Sequence, residues 1–331
     1  MAKKILVTGA SGFLGSHVVR RGLKRGYTVR ALVRPQSSRK NLEGLPVEIA
    51  VGDIRSLKEM KEALKGCSEL YHLAADYRFT ALEGDEVVKT NLEGTRNVLE
   101  AAHAAGIEKV VYTSSTATIG IPKDGTPGNE ETPLSQEDLV GPYKRSKYLA
   151  ELEAKAAAAS GVPVVIVNPS APVGTYDSKP TPTGRFIVDF LNGKLFAYTD
   201  TGLNLVDAED VAEGHFLAAE KGRIGERYIL GNENYPFKSI MEMLSKITKL
   251  PPPKLRLPHS VVLSMAYVND FFMRRLFNRE PGIPLEGVKL SRKKMYFSAE
   301  KARRELGLPQ TPAIEALTKA VQWYRDHGYV R

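Results

Sequence analysis

The chain has one cysteine in 331 residues, Cys67. A single thiol excludes an internal disulfide and a thiolate zinc cluster. Histidine is also scarce: the six present never pair at metal-ligand spacing, so no metal site is expected. Long hydrophobic runs are missing; no apolar segment approaches the roughly 20 residues needed to span a bilayer. Lys3 and Lys4 precede an apolar stretch, but Gly9, Gly12 and Gly15 interrupt it. No secretory signal is therefore expected, and a cytoplasmic address is. Acidic residues are outnumbered, 38 against 47 Lys and Arg, for a net charge of +9. The basic residues are scattered and no nucleic-acid motif accompanies them, so nucleic acid is not an expected partner. Part of the excess suits a phosphorylated small molecule.

What is present is a core and a rhythm. The 42% apolar residues suffice for a sizeable interior. Short apolar runs recur at 5–8, 28–33, 47–51, 70–73, 109–113 and 164–167, with helical patterns at 13–25, 57–65, 87–105 and 142–159 between them. Alternating strands and helices imply an α/β fold with a parallel sheet covered on both faces. Right-handed crossovers make it doubly wound. The alternation ends after Pro169. The expected division is a nucleotide-binding domain of residues 1–175 and 206–232, and a smaller discontinuous cap of 176–205 and 233–331. Two loops rich in Gly, Pro and Thr, 120–133 and 174–184, are expected beside the substrate.

The strongest local signal is Thr8-Gly9-Ala10-Ser11-Gly12-Phe13-Leu14-Gly15. It follows the strand Ile5-Leu6-Val7 and opens a helix, the context in which glycines hold a dinucleotide. Gly9 permits the tight turn, Gly12 lets backbone approach a pyrophosphate, and Gly15 lets helix and strand pack closely. The helix N-terminus offers N–H groups and partial positive charge to phosphate.

An acidic residue about 20 positions past such glycines selects NAD; an Arg there suits the 2′-phosphate of NADP. Arg34 occupies that place, with Ser37, Ser38 and Arg39 behind it, and no acidic residue occurs from Thr28 to Leu42. NADP(H) is therefore favoured over NAD(H), with use of both cofactors the alternative.

Tyr143 and Lys147 stand four apart behind Gly141-Pro142. Pro142 fits a first helical turn, and an i, i+4 pair shares one helical face. A nearby ammonium favours the phenolate, which would bring Tyr143 below its ordinary pKa of ~10 and toward general acid/base work. The strand 109–113 runs into Ser114-Ser115-Thr116, at the end of the sheet where α/β folds bind ligands.

The Gly-x-x-Gly-x-x-Gly spacing, Ser115 and Tyr143-x-x-x-Lys147 together resemble the extended short-chain dehydrogenase/reductase superfamily, also known as NAD(P)-dependent epimerases and dehydratases. Thr113-Ser114-Ser115, Asn168-Pro169-Ser170, Pro180-Thr181-Pro182-Thr183-Gly184 and Tyr228-Ile229-Leu230-Gly231 resemble its hopanoid-associated sugar-epimerase-like proteins; dihydroflavonol-reductase-like ketone reductases are the neighbouring group. The resemblance covers nearly the whole chain and implies a Rossmann sheet. It implies that Ser115 binds the reacting oxygen, with Ser114 and Thr116 as near alternatives, and that Asn91 joins a proton relay. It also implies cofactor contacts from Ser11, Phe13, Leu14, Ala74, Ala75, Asn91, Lys147 and Pro169, with Asp53 and Ile54 at the adenine. Helices 87–105 and 142–159 resemble those that pair in homodimers of the superfamily.

Two departures narrow the reaction. Dehydratases carry an Asp-Glu pair after the strand-five hydroxyl; Thr116-Ala117-Thr118 holds no acid. Nucleotide-sugar epimerases carry an Arg on the diphosphate where Leu203 stands. The expected activity is an NADP(H)-dependent oxidoreductase acting on a carbonyl or secondary alcohol of a small to medium molecule. The alternative is a sugar epimerase without net redox. A sensor that binds NADP without turnover would not need Ser115, Tyr143 and Lys147.

The stretch 260–277 has Val261, Met265, Val268, Phe272 and Leu276 at helical spacing, with Arg274, Arg275 and Arg279 at its end. The favoured expectation is a cap helix packed on the core by this stripe; a lid over an apolar substrate or peripheral membrane contact is the alternative.

Overall fold

The computed structural model describes residues 3–75, 84–139, 141–275 and 285–330. The first half runs β1 (Lys4–Thr8), α1 (Phe13–Lys24), β2 (Thr28–Val33), β3 (Glu48–Val51), α2 (Leu57–Leu64), β4 (Glu69–His72), α3 (Gly84–Ala104), β5 (Lys109–Thr113), α4 (Gly141–Ala159) and β6 (Val164–Pro169). Then follow β7 (Ala171–Val173), α5 (Pro182–Leu191), β8 (Ala197–Tyr198), β9 (Gly202–Asp207), α6 (Ala208–Lys221) and β10 (Arg227–Leu230). The remainder is β11 (Glu233–Pro236), α7 (Phe237–Thr248), β12 (Leu255–Arg256), α8 (His259–Arg275), α9 (Leu285–Leu290), β13 (Lys294–Met295), α10 (Glu300–Leu306) and α11 (Ala313–Asp326).

Seven strands form one parallel sheet in the order β3-β2-β1-β4-β5-β6-β10. The direction of winding reverses between β1 and β4, and that switch point is where a doubly wound sheet opens a crevice for a ligand. Both faces are covered, and β1 shows how. Side chains alternate along a strand, so Ile5 and Val7 enter one apolar cluster with Val18, Val19, Val211 and Phe216 of α1 and α6. Leu6 enters the other with Met60, Leu64, Val98 and Ala150 of α2, α3 and α4. The Rossmann sheet read from the sequence is the sheet found.

A four-stranded sheet is built around β9, which pairs with β11, β13 and β7. Its core combines Ile187, Leu205, Ile240, Leu244, Leu317 and Trp323. Leu203, on β9, packs against this cluster. The chain then doubles back: Phe297, Ala302 and Leu306 are buried in the first cluster of the main sheet. Residues 296–308 therefore brace the sheet from within the stretch expected to be cap.

One expectation is inverted. In α8 the side chains of Val261, Met265, Val268 and Phe272 face outward, and Ala266 is the fully buried position. The periodicity is helical as read, but the burying face is the other one. Periodicity reveals that a stripe exists and not which side meets the protein. Leu276 and Arg279 lie outside the described residues.

Candidate active site

The glycine turn is shaped by contacts that no side chain could share. Gly9 has φ +67°, and a Cβ there would sit 2.8 Å from the Ala74 nitrogen at the end of β4. A Cβ on Gly15 would overlap the Gly9 carbonyl oxygen. The turn closes through Gly12 N–H to Gly9 O, 3.0 Å. Gly12 caps α1 without a side-chain hydrogen bond and with no acidic residue in the first turn. The first N–H groups of α1, around Ser11, Phe13 and Leu14, thus lack a carboxylate competitor for an anion. This cradle fits a dinucleotide phosphate.

Residues the sequence did not single out hold the cradle in place. Asn41 donates to Ser11 O (3.2 Å), Tyr176 O (2.9 Å) and Ser178 Oγ (3.2 Å), tying the turn to the second Gly- and Pro-rich loop. Arg20 lies 3.9 Å over the Tyr176 ring and donates to Asn41 O. His17 on α1 bonds Thr175 O at 2.9 Å. Only a pattern spanning distant segments could have revealed this set.

Arg34 follows β2 directly and is exposed. Asp53 is engaged by Arg55, whose backbone N (2.9 Å), Nε (3.0 Å) and Nη2 (2.8 Å) all donate to its carboxylate. These bonds, against the cost of burial, hold Asp53 below the usual carboxylate range, and Arg34 adds to the effect. Ile54 is buried in the core, against Gly94 of α3. Ala74 and Ala75 are half-buried past β4, and Pro169 is buried at the end of β6.

The reacting groups meet at the end of β5. Pro142 begins α4, and the i, i+4 spacing puts Tyr143 and Lys147 on one side of it. Tyr143 is hydrogen-bonded to Ser115. Ser115 Oγ accepts from Ala117 N at 3.1 Å, which leaves its hydroxyl hydrogen for donation. Ser114 points elsewhere, donating to the buried Glu151 at 2.6 Å, and Thr116 is buried. Asn91 donates to Ser146 Oγ (2.9 Å), which donates to Tyr143 O (2.7 Å), so it steadies the backbone of α4.

The pKa logic differs from the sequence expectation. Burial raises the Tyr143 phenol, and the Ser115 hydrogen bond pulls only partly against it. The Lys147 ammonium donates to Thr113 O at 2.9 Å and lies 5.8 Å over the Tyr112 ring. Burial pushes Lys147 itself down to about 8, with Glu151 opposing. Desolvation is the largest influence at both groups.

Buried histidines brace the same strand ends. His215 Nδ1 lies 2.7 Å from Val211 O, and a carbonyl can only accept, so Nδ1 carries the proton and Nε2 accepts from Thr113 Oγ1 at 2.8 Å. His72 Nδ1 lies 2.7 Å from Thr8 Oγ1. Burial lowers His72 to about 3, with Lys147 adding to the shift, and lowers His215 to about 4. Both folded values lie below the free imidazole value of ~6.5. Their stabilisation is complete above that value and is lost as pH falls, because the unfolded chain takes up the protons. Denaturant stability should therefore decline from about pH 6.5 downward. In His215→Asn the decline between pH 6 and 4.5 should be shallower by up to about 1.4 kcal/mol per pH unit. An unchanged slope in urea titrations would overturn this.

No group of His, Cys, Asp and Glu side chains among the described residues is arranged to hold a metal ion. No helix among them is long and apolar enough to cross a membrane.

The fold and these motifs match known proteins. The model of the NAD dependent epimerase/dehydratase family matches residues 5–231. A putative dihydroflavonol 4-reductase of Synechocystis is 46% identical, over 100% of this chain and 97% of that protein. Sterol demethylase protein B of Methylococcus capsulatus is 36% identical, over 98% and 99%. Among solved structures, a nucleoside-diphosphate-sugar epimerase from Pseudomonas aeruginosa superposes with a TM-score of 0.84 at 26% identity, covering 100% of both chains. The cradle at the start of α1, the Ser115–Tyr143–Lys147 cluster and these likenesses agree: this chain is an NAD(P)-dependent enzyme of the extended short-chain dehydrogenase/reductase type and belongs to the NAD dependent epimerase/dehydratase family.

Proposed function

We propose that the chain is an NADP(H)-dependent reductase, or the reverse alcohol dehydrogenase, for an apolar carbonyl compound of small to medium size. The observation that carries this reading is the Ser115–Tyr143 hydrogen bond beside the buried Lys147 ammonium. Residues 1–175 and 206–232 hold the cofactor, with Ser11, Phe13, Leu14, Ala74, Ala75, Asn91 and Pro169 around it, and the cap selects the substrate. When bound, the nicotinamide supplies or receives the hydride. Ser115 orients the substrate oxygen. Tyr143 delivers a proton to it, and a phenol above its ordinary pKa is fully protonated at neutral pH and ready to do so. Lys147 fixes the local charge and reaches toward the nicotinamide ribose.

Two further observations favour this substrate class. Leu203 is apolar where a sugar-nucleotide enzyme needs a cation, and it packs in the cap core. The relatives' names include a dihydroflavonol 4-reductase, a sterol demethylase protein and a ketoreductase for a farnesylated quinoline oxide from Stigmatella aurantiaca, 30% identical over 92% of this chain. The second reading, a sugar epimerase, draws on the likeness to the Pseudomonas aeruginosa epimerase. Assays of NADPH and NADH oxidation against ring ketones, dihydroflavonols and sterol ketones separate the two. Substrate-dependent oxidation supports the reductase; inversion of a sugar without net oxidation overturns it.

Arg34 carries the cofactor preference. A charge-assisted hydrogen bond to the 2′-phosphate contributes about 1.5–3 kcal/mol. Arg34→Ala should thus lower kcat/KM with NADPH by about 10- to 100-fold and leave NADH nearly unchanged. Equal effects on both cofactors would remove Arg34 from this role.

A further inference from the structure

The outward stripe of α8 needs a partner. Val268, Phe271 and Phe272 are 56%, 58% and 48% exposed, and Val261, Met265 and Tyr267 are exposed with them. The ribbon that leads into the helix continues the apolar surface. Leu255, on β12, pairs with Ala197, and Phe196 beside that pair is 69% exposed. Scattered apolar residues on a surface are ordinary, but a run along one helix together with its entry strand marks an interaction surface.

Charge identifies what it fits. Residues 251–295 contain nine Lys and Arg (Lys254, Arg256, Arg274, Arg275, Arg279, Lys289, Arg292, Lys293 and Lys294) against Asp270, Glu280 and Glu286. That is a net +6 in this stretch, of which Arg256 and Lys293 are paired with Asp200 and Asp138 outside it. Among the described positions, Lys289 lies 5.4 Å from the Tyr267 ring, and Lys254, Arg292 and Lys294 are exposed. A second copy of the chain is disfavoured, because a twofold interface would bring this positive stretch against itself. An apolar helical stripe flanked by cations is instead the pattern of a helix lying in the headgroup region of an anionic bilayer.

We propose that α8 docks the protein peripherally on an anionic lipid surface, with Phe271 and Phe272 inserted among the acyl chains and the exposed Lys254, Lys289, Arg292 and Lys294 at the headgroups. The proposal does not rest on the reductase reading, since it draws on none of Ser115, Tyr143 and Lys147. The test is flotation of the full chain with phosphatidylcholine vesicles containing about 30% phosphatidylglycerol, in about 0.1 M salt. Wild type should float with these vesicles and much less with phosphatidylcholine alone. The double variant Phe271→Asp, Phe272→Asp should lower the bound fraction at least about tenfold. Its melting temperature should stay within about 2 °C of wild type, because both side chains are surface residues outside the core clusters. Protein that stays in solution with anionic vesicles would overturn the proposal. So would equal flotation of the double variant, or sedimentation showing a dimer that the double variant dissolves.

Discussion

Tyr143→Phe should lower kcat by about 10²- to 10⁴-fold, the usual contribution of a positioned proton donor, while nucleotide affinity stays near the wild-type value. The variant removes one oxygen from a side chain that is hydrogen-bonded to Ser115. The cradle at Gly9, Gly12 and Gly15 lies on β1 and α1 and is untouched. Titration of nucleotide fluorescence alongside steady-state turnover separates the two effects. Loss of binding together with turnover would mean that Tyr143 supports the site's architecture and not its chemistry. The raised pKa adds a directional expectation. Reduction uses the protonated phenol, so its rate should be flat through neutral pH. Alcohol oxidation needs that proton removed and should quicken as pH rises.

Arg227→Ala should cost about 1.5–3 kcal/mol of stability, the usual effect of losing a hydrogen bond to a buried charged group, because Lys155 still faces the Glu151 carboxylate at 3.1 Å. Glu151 is almost fully buried in α4, eight residues beyond Tyr143. It accepts from Ser114 Oγ and Thr118 Oγ1, each at 2.6 Å, from Asn168 Nδ2 at 2.9 Å and from Arg227 Nη1 at 3.0 Å. Burial pushes its pKa up, but these hydrogen bonds with the Lys155 and Arg227 charges outweigh it and hold the carboxylate ionised. Arg227, at the start of β10, also donates to Glu130 O at 2.7 Å. The pair therefore fastens α4 to the sheet edge. Urea unfolding of Arg227→Ala, Glu151→Gln and the double variant should show a coupling of about 0.5–3 kcal/mol, with the double variant better than the sum of the singles. Single variants costing under about 1 kcal/mol would show that the network is dispensable.

The catalytic half of the molecule was legible because its signals are local. Each strand of the main sheet up to β6 carries a short apolar run, and the glycine turn and the Tyr143–Lys147 pair each lie within one turn or helix. The resemblance favours Ser115 over Ser114 by position alone; the physical difference is visible only in three dimensions, where one hydroxyl meets Tyr143 and the other meets Glu151. The direction of the Tyr143 pKa was misread for the same reason. Sequence shows that an ammonium is near, but not that it is spent on Thr113 O or how dry the pocket is. Asn41 and Tyr176 stand 135 positions apart and meet through one amide. The same limit applies to α8, where sequence gives the stripe and only packing gives its facing.

The late placement of β10 also bears on how the protein is made. Six strands of the main sheet are complete once Pro169 has left the ribosome, but the edge of β6 has no neighbour until Arg227–Leu230 follow. The buried Glu151 lacks Arg227 for the same interval, and Phe297, Ala302 and Leu306 arrive later still to cover the sheet. A nascent chain halted before residue 227 would thus present an unpaired strand edge, the kind of surface that invites aggregation. The order of synthesis, and not the stability of the finished fold, sets the stage at which this chain most needs protection.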